Sequence, residues 1–125
     1  MLIKHQSAHT FEETVNLIID FLKSKDIKIF SIIDHRKNAD EVGLTMKNET
    51  VIIFGSPVTG TLLMKENPEI GIDLPAKLLV YSTDKDVFVL YKDPDELIDL
   101  YKIQESRGVI MKLKMLYELI MKQVI

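Results

Sequence analysis

LLVYSTDKDVFVLY, residues 78–91, decides the fold. Leu78–Ser82 and Val87–Tyr91 are apolar runs rich in the aliphatic and aromatic side chains that fit a pleated, half-buried surface. The polar connection Thr83-Asp84-Lys85-Asp86 lies between them. Two such runs joined so briefly predict a β-hairpin, and with it an antiparallel sheet.

Upstream, Ile27–Asp34 (IKIFSIID) is a clear strand after the break Ser24-Lys25-Asp26. Thr50–Phe54 (TVIIF) is a shorter one, bounded by Lys47-Asn48-Glu49 and Gly55, and Leu2–Ser7 is a first strand with weak alternation. Between the first two strands, Thr10 and Glu13 match a capping box, in which each side chain satisfies a free N–H at a helix start. Phe11, Val15, Ile18 and Leu22 follow at helical spacing, with Leu17 and Phe21 widening the stripe. His35–Asn38 reads as a polar turn, and Asn38 with Glu41 as the cap of a short helical turn stopping at Gly43.

Gly55–Pro75 is an excursion holding a helix over Thr59–Asn67, ended by Asn67-Pro68. After the hairpin, Asp93-Pro94 opens a helix to about Ile103, Gly108 breaks the chain, and a last helix starts at Val109. The order predicts an α+β fold, an antiparallel sheet covered by helices. No repeat, low-complexity tract or linker divides residues 1–125, so a single domain is expected.

Composition narrows the function classes. Apolar residues are 46% and charged residues 28% of 125, an ordinary globular mixture able to build its own core. A net charge of −3 argues against a nucleic-acid partner, because neutralising phosphates takes a concentrated basic surface. Without cysteine there is neither a disulfide nor a thiolate metal site. MLIKHQSAHTFEET lacks the basic stretch and long apolar run of a signal peptide, and no apolar run approaches the roughly 20 residues of a membrane span. A cytoplasmic protein with no membrane partner is the expectation.

Phe54-Gly55-Ser56-Pro57-Val58-Thr59-Gly60-Thr61 is the most informative stretch for a site. A strand runs into two glycines, hydroxyls and a helix start, where free N–H groups attract anions. The Gly55-to-Gly60 spacing opens a phosphate-binding loop pattern, but Thr61 stands where lysine is required and Leu62 where Ser or Thr is required. A plain strand-to-helix turn explains the same residues. Asp34 and His35 are adjacent, so on a strand they point to opposite faces and form no dyad. His35 alone suits a general base, a hydrogen-bond anchor or a structural cap. Ser56, His35 and Asp73 supply the residue types of a hydrolase triad without a nucleophile-elbow pattern around Ser56. His5 and His9 on an extended segment lie roughly 13 Å apart, too far to share a metal ion, and no metal is expected. The last helix carries more apolar side chains than one stripe needs, Met111, Met115 and Met121 among them. That excess suits either deep burial or a dimer interface.

Ile33-Asp34-His35, Ala39, Gly43, Phe54-Gly55-Ser56-Pro57 with Gly60-Thr61 and Met64, Pro68, Ile72-Asp73-Leu74-Pro75 and Tyr91-Lys92-Asp93-Pro94 follow one another in an order and spacing that resembles the domain of unknown function 302 family. The likeness spans nearly the whole chain. It implies a TATA-binding-protein-like superfold of β-α-β-β-β-β-α order, and neither an activity nor DNA binding, since one superfold hosts unrelated functions. The family's characteristic positions fall on His35, Gly55, Pro57, Gly60, Asp73 and Pro75. Ser56 departs from the asparagine that the family places after the first glycine, and Ala76-Lys77 from its leucine–basic pair.

Three functions fit this reading. The first is a small-ligand or anion-binding domain without a cofactor, its site where Gly55–Thr61 approaches His35, with the hydroxyls of Ser56, Thr59 and Thr61 as donors. The second is a hydrolase with His35 as base. The third is a homodimeric interaction protein that uses its C-terminal helix.

Overall fold

The computed structural model describes residues 1–125. Five strands, β1 (Leu2–Gln6), β2 (Lys28–Asp34), β3 (Glu49–Gly55), β4 (Ala76–Ser82) and β5 (Val87–Lys92), form one antiparallel sheet in the order β1-β5-β4-β3-β2. The α-helices are α1 (Phe11–Ser24), α2 (His35–Glu41), α3 (Pro57–Glu66), α4 (Asp95–Leu100) and α5 (Arg107–Val124). A 3₁₀ turn at Pro68–Asp73 follows α3. The β-α-β-β-β-β-α order is found, with α2, α3, α4 and the 3₁₀ turn added to it.

The hairpin sets Tyr81 opposite Phe88 and Ser82 opposite Val87. Alternation then decides which face is inside. β3 buries Thr50, Ile52 and Phe54, β4 buries Ala76, Leu78 and Val80, and their register places Ile52 beside Leu78 and Phe54 beside Ala76. Val89 and Tyr91 of β5, Ile18 and Leu22 of α1, and Tyr117, Ile120, Met121 and Val124 of α5 complete that core. A second cluster, Leu63, Ile70, Ile103 and Ile110, ties α3 and the 3₁₀ turn to the start of α5.

The capping box forms as expected. Glu13 N–H donates to Thr10 Oγ1, and Thr10 N–H to Glu13 Oε1. Four helix boundaries differ from the sequence reading. Asp34, not Asn38, caps α2, accepting Lys37 N–H at 2.9 Å, so the helix starts at His35. α3 starts at Pro57, not Thr59, because a proline ring presets the first helical φ and loses no needed N–H there. Gly108 breaks nothing. It lies in the first turn of α5, and the break falls at Tyr101–Ser106, where Lys102 adopts φ +53°. α4 accordingly ends at Leu100 rather than near Ile103.

Candidate functional site

β3 ends at Gly55, and Ser56 takes the N-cap position of α3. The Ser56 hydroxyl does not cap the helix, which leaves the first-turn N–H groups of Val58 and Thr59 without an intrahelical acceptor. The hydroxyls of Thr59 and Thr61 are already used, donating to the carbonyls of Ser56 at 3.0 Å and Pro57 at 2.7 Å. Of the three hydroxyls expected to bind a ligand, only that of Ser56 is free. Neither Gly55 nor Gly60 has a positive φ, and a Cβ at Gly60 would meet nothing closer than Met64 Cε at 3.9 Å. At Gly55 a Cβ would touch Phe30 at 3.7 Å and Pro75 at 3.8 Å, so that glycine sits where two other segments converge.

The convergence walls a cavity of about 410 Å³. A register shift between Ile29 and Ser31 throws Phe30 out of the β2 ladder and into its wall. Leu63 of α3, Leu74 before β4, and Leu113 and Leu116 of α5 add apolar surface from three segments. Ser56 and Lys112 are polar groups at its edge, and Lys112 has no ion pair.

A second cavity, also about 410 Å³, lies across the segment Leu74-Pro75-Ala76, which lines both. His35 and Asp73 belong here. The structure therefore separates what the sequence reading joined. Lys28, at the start of β2, pairs with Gly55, and Asp34, at its end, pairs with Thr50. Six residue steps of strand, roughly 20 Å, keep His35 away from the Gly55–Thr61 segment. The Ser56, His35 and Asp73 side chains do not assemble into a triad, and the Asp73 carboxylate is instead engaged by the Tyr101 hydroxyl. That hydrogen bond pushes the Tyr101 phenol up to about 12. No group of three or more His, Asp or Glu side chains converges as metal ligands do.

Tyr117 closes the base of the second cavity. Its ring stacks on Tyr91 at 4.2 Å and meets Phe54 edge-on at 5.6 Å. Its hydroxyl accepts Lys77 N–H at 3.2 Å and donates to Lys77 C=O at 3.0 Å. Burial pushes this phenol well above the ordinary tyrosine range. Sequence reasoning missed Tyr117, Lys77, Lys92 and Lys112 as lining residues. Tyr117 carried one signal: a polar-tipped ring within the buried stripe of a helix needs a partner for its hydroxyl.

α5 divides its apolar side chains between two faces. Ile110, Tyr117, Ile120, Met121 and Val124 are buried. Met111, Met115 and Leu119, four residues apart and therefore in one row, face outward at 47%, 60% and 42% exposure.

The family described as "Domain of unknown function DUF302" matches residues 3–121. The fold is similar to the crystal structure of the uncharacterised conserved protein DUF302 from Bacillus stearothermophilus, with a TM-score of 0.86 and 15% identity over 99% of this chain and 98% of that one. Among curated proteins, "Fluoride-specific ion channel FluC 1" of Brucella suis biovar 1 (strain 1330) is 32% identical over 112 residues, 89% of this chain and 44% of the relative. The protein of that name from Brucella abortus biovar 1 (strain 9-941) is also 32% identical, with 42% of its length matched. The chain thus spans less than half the length of these relatives. No helix of this chain is long and apolar enough to cross a membrane.

Proposed function

The chain belongs to the DUF302 family, and from that premise we propose that it is a binding domain for a small amphiphile with an apolar body and an anionic head. One observation carries this reading: the cavity beside Gly55 has apolar walls and an edge where the Lys112 ammonium and the Ser56 hydroxyl have no partner in the protein. Its volume of about 410 Å³ falls in the range of small-molecule sites. Apolar walls would take the body of the ligand, and the ammonium with the free N–H groups of Val58 and Thr59 would take the head.

Titration calorimetry with octanoate and with octanol tests it. Octanoate is expected to bind saturably and octanol several-fold more weakly, because an exposed ion pair contributes up to about 1 kcal/mol. Lys112→Ala is expected to remove the difference. Absence of saturable octanoate binding, or equal binding of the two, would overturn the reading.

The relatives named fluoride channels supply a setting. Their matched part is less than half of each chain, and this chain offers no membrane-crossing helix. We infer that the domain is a module which accompanies a channel in those relatives and does not itself conduct. Reconstituting this chain in vesicles and following fluoride release with an electrode is expected to show no flux above protein-free vesicles.

A second reading is self-association through the row Met111, Met115, Leu119, favoured by its exposure on the outer side of α5. Light scattering across a concentration series would find a dimer that Met115→Glu abolishes. A monomer throughout would remove the reading.

A further inference from the structure

β4 and β5 both continue past the point where their pairing stops. Their ladder ends at Leu79 opposite Leu90, although β4 begins at Ala76 and β5 runs to Lys92. An antiparallel partner normally satisfies both main-chain groups of a residue from one side. At Lys77 the Tyr117 hydroxyl does so, at 3.2 Å from the N and 3.0 Å from the O. Lys77 also stands opposite Ile53 of β3, so the side that Tyr117 occupies is the one where β5 would pair. The hydroxyl thus works as a wedge from the helical layer, and the second cavity lies over it.

The charges around this gap are unevenly matched. Of the four carboxylates that line it, Asp73 is engaged by the Tyr101 hydroxyl, Asp93 by the N–H of Asp95 and Glu96 by the N-terminal ammonium, while Glu49 has no such partner but stands opposite Tyr81, at the other end of β4 from Lys77. Lys77 and Lys92, at the cavity edge, are exposed and join no ion pair. Two ammonium groups are therefore available to an incoming anion. Next to them on the same face of the sheet the floor is apolar, with the half-buried Leu79 on one strand and Leu90 opposite it on the other.

We propose that the gap between β4 and β5 is a second binding site, distinct from the cavity beside Gly55, for a small planar aromatic carboxylate. A flat ring covers the paired Leu79 and Leu90 side chains more fully than a bulky one. The ring would lie over Leu79 and Leu90, and the carboxylate would reach the ammonium groups of Lys77 and Lys92.

Nuclear magnetic resonance of the full chain, titrated with trans-cinnamate, provides the test, with cinnamamide as a neutral control of the same shape. Cinnamate is expected to shift the backbone N–H signals of Lys77, Leu79, Leu90 and Lys92 saturably at millimolar concentrations. Cinnamamide should bind about tenfold more weakly, as expected for the loss of a charge-assisted hydrogen bond. The double variant Lys77→Met, Lys92→Met, at exposed positions, should bring cinnamate down to the level of the amide. The proposal is overturned if those signals do not saturate, if the amide binds as well as the acid, or if the shifts gather at Ser56–Thr61 and Lys112 instead.

Discussion

Glu66, the last residue of α3, accepts a backbone N–H from Ser106 at 2.7 Å, forty residues away in the chain. The same carboxylate takes Gln104 N–H at 2.6 Å and Glu105 N–H at 3.2 Å. One side chain thus satisfies three consecutive amides in the break before α5. It fixes how that helix enters the core, and so where Tyr117, Lys112 and Leu113 stand relative to both cavities.

These bonds hold the Glu66 carboxyl below its ordinary value, the bond from Gln104 first among them. A carboxylate whose folded pKa is depressed contributes stability that is fully present above the unfolded value and is lost as pH falls through the folded value. Glu66→Gln is expected to melt at a lower temperature than the parent at neutral pH. The two should converge as the solution is acidified below about pH 4. Thermal melts across pH would show the convergence, and a constant gap down to the lowest pH would refute the assignment.

Tyr117→Phe keeps the ring between Tyr91 and Phe54 and removes only the hydroxyl that serves Lys77. The N–H and C=O of Lys77 then lose a shared partner, which costs about 1–3 kcal/mol where water does not replace it. Urea unfolding measures the loss. Hydrogen exchange should speed up at Lys77 N–H and stay unchanged at Leu79, whose pairing with β5 is intact. Unchanged exchange at Lys77 would show that the hydroxyl is no substitute for a strand.

Leu22 is fully buried where α1 meets the sheet. Leu22→Ala should destabilise the domain by about 2–5 kcal/mol, through lost burial and the space left behind. A value under about 1 kcal/mol would mean that the helix layer collapses to fill the gap, and that the α1–sheet contact is not the main core.

The architecture was open to sequence reading because it rests on local signals. The short polar turn folds Val87–Leu90 back on Leu79–Ser82, and Thr10 with Glu13 marks a helix start that the structure keeps. The site was less open, because it depends on which strand ends meet. A sequence places His35 and Gly55 near two strand ends without telling that they are opposite ends of paired strands; the register of Lys28 with Gly55 settles that. Nor does a sequence show that Thr59 and Thr61 spend their hydroxyls on their own helix, or that a tyrosine from α5 interrupts a ladder. The first is a local hydrogen-bonding choice within one helix turn, and the second arises from packing between segments forty residues apart.

Gly108 lies in the first turn of α5, and a Cβ built there meets nothing within 4 Å. Its φ is not in the left-handed region. Gly108→Ala should therefore raise stability by about 0.4–1 kcal/mol, mainly by narrowing the unfolded ensemble. Denaturant titration decides it. A decrease would mean that the break before α5 needs a glycine after all.

Tyr101 donates its hydroxyl to the Asp73 carboxylate, and that bond is the largest reason its phenol is pushed up to about 12. The partners lie 28 residues apart, so the bond links the loop after α4 to the entry of β4. A tyrosine whose folded pKa lies above its unfolded value, near 10, contributes stability that is full below that value and is lost as pH rises through the folded one. Phenolate absorbance, compared between the parent and Tyr101→Phe, isolates the titration of this residue. Asp73→Asn should bring it back toward about 10 and make the alkaline fall in melting temperature shallower. Since Asp73 lines the second cavity and not the one beside Gly55, the same variant should also alter cinnamate binding there while leaving octanoate binding beside Gly55 unchanged. A Tyr101 titration that Asp73→Asn does not move would show that burial, and not this hydrogen bond, sets the phenol's pKa.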